Sequence, residues 1–216
     1  TTSSLESEKL HYLLDGRKLY IKYCASGYPL ASYSERKTLY LTLPSTLLSN
    51  VKITTTYASV LATASNFDSL NIKSNSGYIS LNNIILKNNL LVSTQSGQID
   101  LKNSTVISKT LLNTASGKIT IDDLKGQNLE IESSSGSIGL SNLGLYSNLQ
   151  INSSSSSIEI NNSFFDSGII DTKSGSSKLI SSSFKSFDYK ADSASLTLDG
   201  ISSFRLYYNT YSGKLY

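Results

Sequence analysis

Residues Ser74–Leu81 read SNSGYISL, and close variants return at 94 (TQSGQIDL), 114 (TASGKITI), 133 (SSSGSIGL) and 153 (SSSSSIEI). A fixed internal period decides the architecture before any local propensity does. With the glycine of this segment as a marker, the equivalent positions are Ala58, Gly77, Gly97, Gly117, Gly136, Ser156, Gly175, Ala194 and Gly213, always 19 or 20 residues apart. Apolar residues stand seven and five positions before the marker, as in Leu70 and Ile72, Leu90 and Val92, Leu129 and Ile131, or Leu149 and Ile151. They stand again two and four positions after it, as in Ile79 and Leu81, Ile99 and Leu101, Ile119 and Ile121, or Ile138 and Leu140. Both pairs have the period of two that belongs to a strand with one buried face.

A helical repeat would need apolar residues three and four apart over at least about ten positions, and these segments are too short for that. Two short strands per repeat cannot bury a face alone. Stacked as rungs about 4.8 Å apart, each gains two neighbours and shares one continuous core. The expected fold is all-β: a single-domain parallel β-solenoid, a right-handed β-helix of eight to nine rungs with 19–20 residues per rung. It occupies residues 51–216 behind a β-rich cap at residues 1–50 that is continuous with the first rung.

The marker glycines Gly77, Gly97, Gly117, Gly136, Gly175 and Gly213 are assigned to the corner between the two strands, where glycine supplies φ > 0. Serine precedes the marker in every turn from Ser76 to Ser212. Three positions before the marker stands a second small hydroxylated row, Thr55, Ser74, Thr94, Thr114, Ser133, Ser153, Thr172 and Thr210, interrupted by Ala191. Alternation turns that row inward, so its hydroxyls are expected to bond to backbone or to one another near the corner. A third side carries a less regular apolar residue (Ile84, Val106, Leu124, Leu143, Phe164, Ile201) together with the variation in rung length.

In the cap, Asp15-Gly16 between two alternating apolar runs signals a tight hairpin, and KTLYLTLP reads as a further strand that Pro44 ends. Aromatic residues crowd the two ends of the chain, and between 79 and 163 the only one is Tyr146. The last rung, LYYNTYSGKLY, reads as an open edge, and an open edge can pair with another chain. An end-to-end homo-oligomer is the expectation that follows.

Composition narrows the function. Charged residues are 16% of the chain and the net charge of +3 is dispersed, which argues against a nucleic-acid partner. No apolar run is long enough to span a bilayer and no signal segment opens the sequence, so it reads as a trimmed ectodomain or a cytosolic protein, with any membrane attachment through an anchor outside this chain. One His (His11) and one Cys (Cys24) cannot build a zinc site or a His-assisted nucleophile on the solenoid, and no cofactor motif is present. Cys24 reads as a buried strand residue.

Carboxylates are the remaining route to catalysis. The outward row four before the marker holds Glu132 and Asp171 two rungs apart, about 9.6 Å at 4.8 Å per rung. That is at the upper edge of an inverting glycosidase pair. Glu130 and Glu132 share a strand face about 7 Å apart. No Arg or His accompanies them, and the reading is of a solvated surface with no catalytic residue. Asp122-Asp123 lacks the six or more oxygen ligands of a structural calcium site. Outward apolar residues mark the candidate interaction surface instead: Leu91 and Leu111 on adjacent rungs, then Tyr207 and Tyr211 on the last.

LYLTLPS at 39–45, VKITTTYASV at 51–60 and the serial Ser-Gly turns together resemble a bacterial adhesin-like family of strand, Ser-Gly, strand repeats, over residues 9 to 216. The resemblance implies a secreted, lipid-anchored or membrane-anchored protein of the cell envelope, binding a protein or a glycan. The chain departs from that family in lacking an acidic residue after the glycine, where Tyr78, Gln98, Lys118 and Ser137 stand. A non-enzymatic envelope solenoid with an interaction surface is thus the leading expectation, a self-assembling scaffold the second, and a polysaccharide-active enzyme the third.

Overall fold

The structure, a computed structural model, describes residues 10–15, 18–23, 39–42, 50–201 and 205–216. The chain divides into two compact units, Thr1–Leu43 and Pro44–Tyr216. In the first, β1 (Leu10–Asp15) and β2 (Lys18–Tyr23) form an antiparallel hairpin whose last pair is Asp15 with Lys18, as the two-residue turn signal requires. The strand expected over KTLYLTLP is not found where it can be seen: residues 39–42 have no strand structure and are exposed. Without a ladder partner an apolar alternating run has no reason to stay extended. Cys24 and Pro44 lie outside the described residues.

The second unit is the expected parallel β-solenoid, of about eight turns, with no helix among the described residues. One column of rungs runs through β3 (Asn50–Thr54), β5 (Ser69–Ser74), β7 (Asn89–Thr94), β8 (Ile99–Thr114), β9 (Ile119–Ser133), β11 (Leu145–Ser153), β13 (Phe164–Thr172), β15 (Ser183–Ala191) and β17 (Arg205–Thr210). The other runs through β4 (Val60–Phe67), β6 (Ile79–Leu86), the leading parts of β8 and β9, β10 (Ile138–Ser141), β12 (Ile158–Asn161), β14 (Ser176–Ile180) and β16 (Ser195–Asp199).

Register follows the repeat. Ile72 pairs with Val92, Val92 with Leu112, Leu112 with Ile131, and Ile131 with Ile151. These residues, with Ile79, Ile99, Ile119 and Ile138 of the other column, are at most 2% exposed. At roughly 1.5–3 kcal/mol for each large aliphatic side chain fully buried, the two inward columns supply most of the drive to fold. The 19- and 20-residue rungs are reconciled by a register shift between Val106 and Lys109, on the side where length variation was expected.

Two readings of the corners change. The marker glycines Gly77, Gly97, Gly117, Gly136 and Gly213 do not have positive φ; among the six, only Gly175 does, at 108°. Their reason is proximity. A Cβ on Gly97 or Gly117 would stand 2.2 or 1.9 Å from the carbonyl oxygen of the marker residue one rung below. Rungs at strand spacing bring the corner backbones into contact at these glycines, whereas Ser156 and Ala194 hold the same position with a small buried side chain.

Left-handed backbone sits instead at the far corner, four residues after the second apolar pair begins. Ala64, Asn83, Asn103, Asp123, Asn142, Asn162 and Ser181 have φ between 45° and 55°, and Gly200 follows at 64°. Asn and Asp tolerate this conformation better than other side-chain-bearing residues because their short polar side chains bond locally. Here they also bond between rungs: Asn103 donates to Asn82 Oδ1 at 3.1 Å, Asn142 to Asp122 Oδ1 at 2.8 Å, and Asn162 to Asn142 Oδ1 at 2.7 Å.

The third side contains two inward rows rather than one. Ile84, Ser104, Leu124, Leu143, Ser163 and Ser182 form the first, and Leu86, Val106, Gly126, Tyr146, Phe165 and Phe184 the second. Phe164, expected inside, is 45% exposed, and Phe165 is the buried ring. Tyr146, Phe165, Phe184, Phe187, Tyr189 and Tyr208 make a continuous series of ring contacts with centroids 4.7–6.4 Å apart. Gly168 makes room for them, since a Cβ there would lie 2.5 Å from the Phe184 ring.

Candidate interaction surface

The inward hydroxyl row behaves as the sequence implies, with a definite partner. Ser74, Thr94, Thr114 and Ser133 each accept a hydrogen bond from the N–H of the marker three residues on, at 2.8–3.1 Å. Thr55, Ser153 and Thr210 do the same. Each bond satisfies a donor that the corner would otherwise bury unpaired. Thr172 differs, donating to Ser174 O at 2.9 Å, in the one turn whose glycine has positive φ.

This corner borders an open trough of about 460 Å³ that crosses the first four rungs and reaches the fifth at Ser134. Its lining follows the repeat. One wall is the outward row Thr54, Lys73, Ser93 and Asn113, the floor is Thr55, Ser74, Thr94 and Thr114, and the other wall is Asn75, Gln95, Ala115 and Ser134. Lys73 is the only ionisable group among them. The floor is locked by the turn hydrogen bonds, and Thr94 also donates to Asn75 O at 3.2 Å. Among the described residues the side chains of Lys73, Asn75, Ser93 and Gln95 make no hydrogen bond or ion pair, so four polar side chains on two adjacent rungs remain open to a ligand. Sequence reasoning did not single out this trough. Its signal is the recurrence of unbranched or small polar residues at two and four positions before the marker, visible only once both rows are seen to border one corner.

The expected surface residues do not form one patch. Leu91 and Leu111 are register partners on adjacent rungs and half-buried. Their row continues through Glu130, Gln150, Ile169 and Asp188 to Tyr207, five rungs beyond Leu111. At about 4.8 Å per rung that is roughly 24 Å. Tyr207 is 54% and Tyr211 95% exposed.

The carboxylates are individually engaged. Glu132 accepts from Asn113 Nδ2 at 2.5 Å, and Glu130 is ion-paired with Lys109, a basic neighbour the spacing argument did not find. Asn152 lies between Glu132 and Asp171 in the ladder. On the second column, Asp100 accepts from Tyr78 Oη at 2.6 Å and from Gln98 Nε2 at 2.9 Å. Partial burial pushes the Asp100 carboxyl up, but these two hydrogen bonds and the Lys102 charge outweigh it and hold the group below its ordinary value. The same bond raises the Tyr78 phenol, because ionisation would lose it. Asp122 accepts from Ser141 and Asn142, so it is tied into the far corner. Among the described residues no three His, Cys, Asp or Glu side chains are grouped to hold a metal ion, and no helix is long and apolar enough to cross a membrane.

The family model described as Toastrack DUF4097 matches residues 2–195, and the chain belongs to that family. No curated protein matches the chain, and neither does any solved structure.

Proposed function

We propose that this Toastrack domain is a non-enzymatic scaffold of the bacterial cell envelope that holds a rigid polar surface towards a protein or glycan partner. The observation that supports it most is the continuous parallel ladder from β3 to β17, which repeats the outward rows at one rung spacing and ties Glu132 to Asn113 and Glu130 to Lys109. A glycosidase needs two carboxyl groups free to exchange protons on opposite sides of one bond. Glu132, bonded to Asn113, and Asp171, two rungs away, are poorly suited to that. The envelope assignment rests on the adhesin-like resemblance. The test is incubation with neutral and uronic-acid polysaccharides, alongside fractionation of cells making the native protein. No turnover and recovery with the envelope are expected. Turnover abolished by Glu132→Gln, or recovery in the cytosol, would overturn the reading.

A second reading, self-assembly, is favoured by one feature. Among the described residues β17 has a single strand neighbour along its length, β15, and Tyr207 and Tyr211 beside it are exposed. Sedimentation should then show association that rises with concentration and is lost in a folded Tyr208→Pro variant. A concentration-independent monomer removes this reading.

A further inference from the structure

The trough on the marker corner admits a more specific reading, which rests on the interaction-surface proposal above. We propose that it binds an extended glycan strand lying across the rungs, one sugar to a rung, with the ring of Tyr57 stacking on a sugar at the first rung.

The chemistry of the lining selects this occupant. Lys73 is its only charge, which is too little for the multiple phosphate contacts that hold a nucleic acid. No large aliphatic or aromatic side chain of the kind that anchors protein interfaces lines it; Ala115 is the one apolar residue, and the rest of its apolar surface comes from the carbons of polar residues. What it offers is a series of neutral donors and acceptors. Asn75 and Gln95 on one wall each face an outward residue of the same rung, Lys73 and Ser93, and all four side chains are unengaged among the described residues. Amide and hydroxyl groups of this kind match sugar hydroxyls, which both donate and accept. They repeat at the rung spacing of about 4.8 Å. That is close to the length of one sugar in an extended chain, so two successive sugars can each meet a pair of free polar side chains, Lys73 with Asn75 and Ser93 with Gln95, without bending the strand.

The floor is prepared in advance. Ser74, Thr94 and Thr114 are fixed by the N–H groups of Gly77, Gly97 and Gly117, so binding has little left to order except the wall side chains. Tyr57 stands two residues beyond the lining residue Thr55, outside the lining itself, and is 80% exposed. An exposed ring with an apolar face and a polar tip suits the face of a sugar.

The experiment measures binding of cellohexaose, chitohexaose and a galacturonate hexamer to the whole chain by ligand-observed NMR. Parallel titrations use Asn75→Ala/Gln95→Ala, Tyr57→Ala and, on the other column, Lys178→Ala. Thermal melts confirm that each variant is folded. At least one hexamer should bind the parent. The double variant and Tyr57→Ala should each weaken it about tenfold or more, equivalent to roughly 1.4 kcal/mol, and Lys178→Ala should leave it unchanged. If none of the three binds at millimolar concentration, the glycan proposal fails and a protein partner takes its place in the scaffold reading. If a hexamer binds equally well to the parent and both trough variants, the scaffold reading survives and the trough assignment is wrong.

Discussion

Replacing Tyr146 by Phe should stabilise the protein. Tyr146 is 0% exposed, and its hydroxyl is buried with no hydrogen-bond partner. Burial pushes its pKa far above the ordinary tyrosine value. The ring lies over Gly126, where a Cβ would come within 3.1 Å of the hydroxyl and 2.3 Å of Val106 O, and it contacts Phe165 at 6.1 Å between centroids. Phe keeps the ring contact and removes the oxygen. A buried, unsatisfied polar group costs about 1–3 kcal/mol, so Tyr146→Phe should gain that amount at neutral pH.

The sign of the pH dependence gives a second, independent reading of the same residue. The folded pKa is raised, so the contribution is fully present below the unfolded tyrosine pKa near 10 and is lost as pH rises above it. In that range the parent loses about 1.4 kcal/mol per pH unit that the Phe variant does not, because only the unfolded Tyr146 can ionise. Urea unfolding followed by circular dichroism at pH 7 and pH 11 measures both effects, and the advantage of Phe should widen by about 1.4 kcal/mol between them. A variant less stable than the parent at pH 7 would mean that the hydroxyl is satisfied. An unchanged gap at pH 11 would mean that Tyr146 ionises as easily folded as unfolded and is not buried.

Ile119→Ala and Ile138→Ala should each cost about 2–5 kcal/mol, measured as urea midpoints at constant slope, because both side chains are at most 1% exposed in the inward column. Gly117→Ala and Gly139→Ala should move in opposite directions in thermal melts. The first drives a Cβ to 1.9 Å from Gly97 O and should cost about 1–3 kcal/mol or more, whereas the second meets nothing within 4 Å and should gain about 0.5–1 kcal/mol through the unfolded chain. Asp100 has a lowered folded pKa, so its hydrogen bonds contribute above the unfolded value near 3.9 and the contribution is lost as pH falls through the folded value. The stability difference between the parent and Asp100→Asn should therefore be flat above about pH 5 and shrink below about pH 4; a difference unchanged down to pH 2 would dispose of the Tyr78 and Gln98 bonds as its source.

What the sequence disclosed and what it hid have a common cause. Period and parity are carried by side chains whose burial repeats every rung, so the inward pairs and the hydroxyl row could be read directly from Leu70 to Leu198. Conformation at a corner is not carried that way. Gly97 is compatible both with positive φ and with close backbone approach, and only the 2.2 Å clash of a built Cβ separates them. On the third side the apolar signal is split between two rows: Ser104 and Ser163 interrupt the row of Leu143, and following apolar residues alone leads to Phe164, whereas the ladder pairs Tyr146 with the buried Phe165.

The far corner is the more instructive omission, because its signal was present. Asn83, Asn103, Asp123, Asn142 and Asn162 recur at the rung period, and an Asn or Asp at that interval is the chemistry of a left-handed residue. The two corners solve the same problem of turning a strand through a fixed angle in contact with its neighbours, by opposite means: one removes the side chain so that backbones can meet, and the other keeps a short amide that bonds to the adjacent rung. Asn103, Asn142 and Asn162 commit their side chains to the adjacent rung, whereas the glycine corner satisfies its backbone from the inside through Ser74, Thr94 and Thr114 and leaves the flanking Asn75, Ser93 and Gln95 unengaged. A ligand that needs side-chain hydrogen bonds is therefore better served at the glycine corner, and this asymmetry is why the trough, and not the more conspicuous row of asparagines, is the surface to test.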